Sequence, residues 1–497
     1  MKNISNIISL SRAYLNENSV YLCLLSTVCL CALYFFLRFQ FGLTWDVLVV
    51  LYASVGYLII HLFLSLIGDV RSVKYLVRNK LDLAFLLFFL HNAVFVPLTF
   101  YRYGRLEGLY AAKNYLVPLA VYFVVVYFLR HRDASRVIGW VLLCSVLVSG
   151  IYVAEMASVR YAPLEVKAPV EDAFGVFKYT RAMDLYAKEK QAECRGVTKS
   201  WTKSDRSLYI RLPGPAGHSN ATAFVIAIGT VLAFAAVVFG PATWHRGIGL
   251  FLCAIGLFWG CSRTNMIGAG LAILALLGLG LWTGNVRRRD ALLLVVAVPS
   301  VILLLVLFQV IDWKAYQQIF NLKQTYYTLT ATIDKETVRE LVVLKGSNPA
   351  SFVWGSGIAP ILSDTYSSGL YLGQTIASDD AFYLQVLSQY GIVCVAMYIG
   401  LMVIGLKGAI GSFYRNDPEY VRKYEYVPFG LIGLIVLGMI NIFHGASLIK
   451  PHVSMIFYVS IGCMSVILSR RGSEDAEREA LDAGRTGVRA RLLRVDP

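Results

Sequence analysis

Apolar residues run through this chain in twelve long blocks separated by polar and charged connections, at 19–40, 45–67, 81–101, 114–130, 137–156, 221–240, 247–261, 264–284, 290–310, 384–407, 427–447 and 452–469. Most blocks hold about 17–25 residues, the length at which an α-helix crosses a hydrocarbon core of about 30 Å. The seventh is shorter and leads into the eighth through a tight hairpin. The pattern predicts an all-α polytopic membrane protein with about 12 transmembrane helices. Its divisions are residues 1–156 (helices 1–5), 157–220 (a first large loop), 221–310 (helices 6–9), 311–383 (a second large loop), 384–469 (helices 10–12) and 470–497 (a tail).

Charge orients this scheme. With the N-terminus inside, the even-numbered connections are cytoplasmic, and they are the basic ones: Arg71, Lys74, Arg78 and Lys80; Arg130, Arg132 and Arg136; Arg246; Arg287, Arg288 and Arg289; Lys407, Arg415, Arg422 and Lys423. The tail beginning Arg470-Arg471 falls on the same side. This is the bias expected of cytoplasmic loops, so both termini are expected in the cytoplasm and both large loops outside it. The N-terminal stretch, with Lys2 and Arg12, does not read as a cleaved signal peptide, and no internal repeat of the inverted-transporter kind is apparent.

Composition agrees. Of 497 residues 57% are hydrophobic and only 15% charged, with a mean hydropathy of +0.61, too few charges to cover a soluble protein of this size. The net charge of +15 is scattered over many short loops, which favours anionic lipid headgroups over nucleic acid as partner. Cys23, Cys29, Cys31, Cys144, Cys253, Cys394 and Cys463 lie in apolar blocks and Cys194 in a hydrophilic loop, without metal-ligand spacing. His61, and His91 beside Asn92, read as interior groups bridging helices by hydrogen bonds.

Several basic residues fall on the outward side, against the bias. Arg102, Arg105 and Lys113 share a short outer connection opposed only by Glu107; they either snorkel to lipid phosphate or belong to an anion site. Arg263, in Cys261-Ser262-Arg263-Thr264, is pinched between two apolar blocks at the outer boundary. An arginine there must be compensated, by a carboxylate or by a substrate phosphate gripped bidentately. Arg206 and Arg211 precede Leu212-Pro-Gly-Pro-Ala-Gly-His218-Ser219-Asn220, a helix-breaking run that leads into the sixth block. Ser219 and Asn220 are candidate N-caps, and the sixth helix would turn its positive end outward.

The second loop carries an apolar stripe over 324–344 that includes Arg339's neighbours Val338, Leu341 and Val342, and then Trp354-Gly355-Ser356-Gly357. Ser378-Asp379-Asp380 stands directly before the tenth block. These carboxylates could cap that helix, pair with the arginines, or deprotonate a sugar hydroxyl. Outer-loop aromatics such as Trp313, Tyr326 and Trp354 could stack on sugar faces or form loop core.

In this order the chain resembles the bacterial O-antigen ligase and polymerase superfamily of membrane glycosyltransferases. The resemblance rests on Arg211-Leu-Pro-Gly-Pro-Ala-Gly-His-Ser-Asn220, Ser262-Arg263-Thr264, Trp354-Gly-Ser-Gly357 and Asp380-Ala-Phe-Tyr-Leu384 followed by Gly391-Ile392, and it covers roughly residues 205–405. It implies inverting, metal-independent glycosyl transfer, without a cofactor, from an undecaprenyl-diphosphate-linked oligosaccharide at the outer face of the bacterial inner membrane. The resemblance matches Arg263 and Arg211 to the arginines that hold the diphosphate; by their places in the chain, Arg206, Arg339, Arg102, Arg105, His218 and Asn220 are candidate further substrate contacts, and Asp380 or Asp379 is the candidate base. Such enzymes can work beside a chain-length-regulating protein. Ligases of the superfamily typically carry a histidine where this chain has Asp380, which favours a polymerase of repeat units over a ligase to lipid A core. The rivals are a flippase for polyprenyl-linked glycans, which a second cluster of arginines on the cytoplasmic side would favour, and a non-catalytic envelope scaffold, in which Arg263 would be dispensable.

Overall fold

The computed structural model describes residues 17–40, 46–68, 70–103, 109, 112–161, 214–216, 219–241, 243–260, 262–284, 353–354, 382–413, 426–444 and 451–469. Among these all regular structure is helical: α1 Glu17–Gln40, α2 Asp46–Gly68, α3 Lys80–Tyr103, α4 Val117–Phe128, α5 Ala134–Tyr161, α6 Ser219–Val238, α7 Trp244–Trp259, α8 Arg263–Trp282, α9 Phe382–Phe413, α10 Val427–His444 and α11 Pro451–Ser469. Seven of them (α2, α3, α5, α6, α8, α9 and α11) carry stretches long and apolar enough to cross a membrane; the apolar parts of α1, α4, α7 and α10 are shorter. This is the architecture of a polytopic membrane protein. The apolar block at 290–310, most of both long loops and the tail lie outside the described residues.

The helices are not equivalent. In α6 89% of the apolar window is buried within the protein and in α11 83%, against 28% in α2 and 33% in α9. α6 is therefore the core, flanked by α5, α7, α8 and α10, and the outer helices present apolar side chains such as Val49, Phe63, Leu87 and Leu274 to the surroundings. With lipid as apolar as leucine, helices associate by close backbone approach. A Cβ added to Gly229 of α6 would lie 2.7 Å from Ser145 Cβ of α5, and Ser149 Oγ of α5 donates to Leu252 O of α7 at 2.8 Å.

Helix ends are fixed by polar groups. Asn79 and Asp82 form a reciprocal cap at the start of α3: Asp82 N donates to Asn79 Oδ1 at 2.9 Å and Asn79 N to Asp82 Oδ2 at 3.3 Å. Arg78 N donates to the same Oδ2 at 2.9 Å. Asp82 is wholly buried, and its Oδ1 accepts from Tyr122 of α4 at 2.7 Å and from Ser465 of α11. Asn79 Nδ2 adds bonds to Ser465 Oγ at 2.8 Å and Ser469 Oγ at 2.7 Å. Three helices thus meet on one carboxylate.

Some local readings change. Asn92 bonds within its own helix, to Phe88 O at 2.7 Å, and His61 joins α2 to α4 by stacking on Phe128 with ring centroids 5.0 Å apart. The helix after the second long loop breaks at Gly391, whose φ of 78° and ψ of 178° are not helical. Two turns, residues 382–390, therefore precede the membrane-length stretch Gly391–Gly411.

Candidate functional site

The end of the bundle opposite Asp82 gathers the starts of α6, α8 and α11. Its base is the turn Gly214-Pro215-Ala216, all three residues buried. Gly214 has φ 65°, and a Cβ there would lie 2.7 Å from Thr222 Cγ2 and 2.8 Å from Tyr152 Cδ2, so both conformation and space demand glycine. The turn is held on every side: Pro215 O accepts from Phe36 N of α1 at 3.2 Å, and Ala216 N donates to Thr222 Oγ1 of α6 at 3.2 Å. His452 Nε2 of α11 lies 3.1 Å from Ala216 O. A carbonyl only accepts, so that ring nitrogen carries the proton.

The chain then enters α6, and the first turn of α6 is tied to the first turn of α8. Ser262, in extended conformation before α8, makes no side-chain cap bond to its own helix. Its Oγ instead donates to Asn220 Oδ1 at 3.3 Å and accepts from Asn265 Nδ2 at 2.9 Å. Asn265 Nδ2 also donates to Asn220 O at 3.1 Å. Asn220 O, a carbonyl, can only accept, so the amide nitrogen must face it, which fixes the orientation of the Asn265 side chain. Asn265 is 1% exposed, and its Oδ1 is buried with no hydrogen-bond partner. The result is two helix N-termini side by side, both with positive ends at the same mouth.

Of the residues singled out in sequence, Arg263 is the first residue of α8 and Asn220 stands in the first turn of α6. Asn220 serves to join two helix starts. Arg102 lies in the last turn of α3. Arg105, Arg206, Arg211, His218, Arg339, Asp379 and Asp380 lie outside the described residues. Lys113, on the single π-turn Ala112–Leu116 before α4, sits with Nζ 5.6 Å from the Tyr52 ring centre, and burial pushes its ammonium below the usual lysine range. Glu155, one turn beyond Tyr152 on α5, has a buried Oε2 and brings a carboxylate to this end of the bundle.

Sequence reasoning missed Asn265, and nothing local to His452, near the last outer hairpin, decides its role. Asn265 could have been noticed as the last polar residue of the run Ser262-Arg263-Thr264-Asn265 before the apolar stretch of α8. The partner of His452 lies 236 residues away and leaves no local trace. Among the described residues no three His, Cys, Asp or Glu side chains come together as metal ligands would.

The fold and this end together define a multi-pass helical membrane protein in which the starts of α6 and α8 are tied side by side at one end of the bundle. No protein-family model matches the chain, and no curated protein matches it in sequence.

Proposed function

We propose that this protein is a polysaccharide polymerase, transferring a glycan from a polyprenyl-diphosphate carrier onto a second carrier-linked unit at the extracytoplasmic face of a bacterial inner membrane. The observation that supports it is the bond of Asn265 Nδ2 to Asn220 O. With the bond of Ser262 Oγ to Asn220 Oδ1, it brings two of the four stretches that carry the resemblance, Arg211–Asn220 and Ser262–Thr264, to one end of the bundle.

The chemistry suited to such a mouth is displacement at an anomeric carbon. The acceptor hydroxyl oxygen attacks that carbon, the bond to the diphosphate oxygen breaks, and the leaving diphosphate takes the electron pair. Arg263, Arg211 and the N-terminal amides of α6 and α8 would offset its growing charge. Asp380 or Asp379, just before α9, would take the hydroxyl proton. Attack opposite the leaving group inverts the anomeric centre.

The test is a deletion strain complemented with wild type, Arg263→Ala, Arg263→Lys or Asp380→Asn, with membrane abundance followed by immunoblot. Single lipid-linked units gathering outside the cell membrane, with the Arg263 variants inactive at normal abundance, are the expected result. Full activity of Arg263→Ala overturns the assignment. Polymerised glycan left on its carrier lipid in the deletion strain indicates a ligase.

One observation favours a transporter as the second reading. Lys74, Arg78 and Arg130 gather round Tyr75 at the opposite end of the bundle, so each end holds cations. Units trapped on the cytoplasmic face in the deletion strain would support that reading instead.

A further inference from the structure

At the Asp82 end, the short 3-10 helix Val70–Tyr75 meets the end of α4, and three cations converge on one aromatic ring. Arg130 Cζ stands 4.9 Å from the centre of the Tyr75 ring, Arg78 Cζ 5.1 Å and Lys74 Nζ 5.2 Å. Arg130 also lies over Tyr127, 4.1 Å from its ring centre, and its Nη1 donates to Tyr127 O at 3.3 Å. Two rings and a carbonyl hold this guanidinium in place. Its Nε is buried and has no hydrogen-bond partner.

An aromatic ring has two faces and attracts a cation to each. Among the described residues no carboxylate pairs with Lys74 or Arg130. Asp82, at the start of α3, already accepts from Tyr122, Ser465, Arg78 N and Asn79 N. Arg132 lies over Tyr21 and Arg136 pairs with Asp133 at 3.9 Å, so the neighbouring connection adds further positive charge. The cluster sits where the apolar parts of α3 and α4 end, the depth at which headgroups lie.

We infer that Lys74, Arg78 and Arg130, arranged on Tyr75 and Tyr127, form a binding site for the phosphate of an anionic phospholipid. A phosphodiester offers two charged oxygens to a planar guanidinium fork and a third contact to an ammonium. The acyl chains would run along the exposed apolar side chains of α2 and α3, among them Ile67 and Leu83. This site stands apart from the Asn265 end and does not depend on the polymerase reading.

The experiment uses the full chain in nanodiscs of phosphatidylcholine doped with phosphatidylglycerol, with retained lipids counted by native mass spectrometry. Wild type is expected to keep phosphatidylglycerol in preference to phosphatidylcholine, and Lys74→Gln combined with Arg130→Gln to lose that preference by about tenfold. Arg136→Gln serves as the charge control and leaves it intact. Arg130→Lys keeps the charge but not the fork or the stacking, and is expected to fall between the two. Equal loss in the Arg136→Gln control, or no preference in wild type, overturns the site. Protection of wild type against thermal unfolding by inorganic phosphate, without retention of phosphatidylglycerol, overturns the lipid as its source. Should the double variant fail to elute as a monodisperse species, the Arg130→Lys comparison decides alone.

Discussion

Asn265 and Asp82 show how much one polar side chain does inside an apolar bundle. Asn265 supplies one nitrogen to two acceptors on different segments. Removing it leaves buried acceptors unmatched, at a cost of about 1–3 kcal/mol. Asn265→Ala is therefore expected to lower the thermal unfolding midpoint in detergent. Asn265→Asp should lower it further, because a carboxylate cannot donate to Asn220 O; a midpoint for Asn265→Asp at or above that of Asn265→Ala would refute this account. Asp82 is the converse, an acceptor with four donors aimed at it. In Asp82→Asn one oxygen becomes an NH2 facing groups that already donate, so this nearly isosteric change should destabilise by about 1–3 kcal/mol, read as a lower midpoint. Adding Tyr122→Phe to Asp82→Asn should cost less than the sum of the two single changes. Neither role was legible in the sequence. Arg263 announces itself by standing between apolar blocks, whereas Asn265 and Asp82 look like polar residues at helix starts. What gives them weight is a partner 45 residues away in one case and 383 in the other.

At the scale of elements, apolar blocks marked where helices run but not how they end or bend. α9 continues to Phe413 and breaks at Gly391, inside the single apolar block that the sequence marks at 384–407. Only glycine adopts the backbone found at Gly391 at little cost, and a side chain there costs about 1–3 kcal/mol. Gly391→Ala is expected to lower the unfolding midpoint, since the nine residues that follow the second loop must keep their direction relative to the membrane stretch. Gly400 is a helical glycine of the same element with open space around its Cβ position. There alanine should be neutral or stabilise by up to about 1 kcal/mol. Opposite outcomes at these two positions, measured by fluorescence-detected unfolding in one detergent, separate a required break from a general intolerance of substitution in α9. The turn before α6 follows the same logic. The run of Pro and Gly from 213 to 217 predicted a break in helix before the sixth block, and Gly214 stands there with a φ of 65°, but the burial of this turn against α1, α5 and α11 came from packing that no local pattern records.

For the whole molecule, hydropathy makes all the apolar blocks look alike because lipid and protein interior are both apolar. That α6 is enclosed while α2 and α9 are mostly outside is a property of neighbours, and burial on all sides matches its near-continuous apolar composition. The polar ties divide the helix ends into two sets. Asn79, Asp82, Tyr122, Ser465 and Ser469 mark one end, while Phe36, Ala216, Asn220, Ser262 and His452 mark the other. This alternation of helix ends makes orientation a single binary question for the molecule. The basic connections at 70–80, 129–136 and 243–246 all fall with the Asp82 end, so charge bias predicts that this end faces the cytoplasm. Cysteines placed singly at Ser135 and Thr243, in a background with the native cysteines replaced, should react with a membrane-impermeant maleimide only after the membrane that holds the protein is opened. A cysteine at the exposed Trp354 should react while that membrane is still sealed. The reverse pattern would place the Asn265 mouth in the cytoplasm, where a polymerase using an externally presented donor has no substrate; the cation cluster on Tyr75 would then face outward. One labelling series therefore tests the orientation on which the polymerase reading depends, without requiring the glycan to be known.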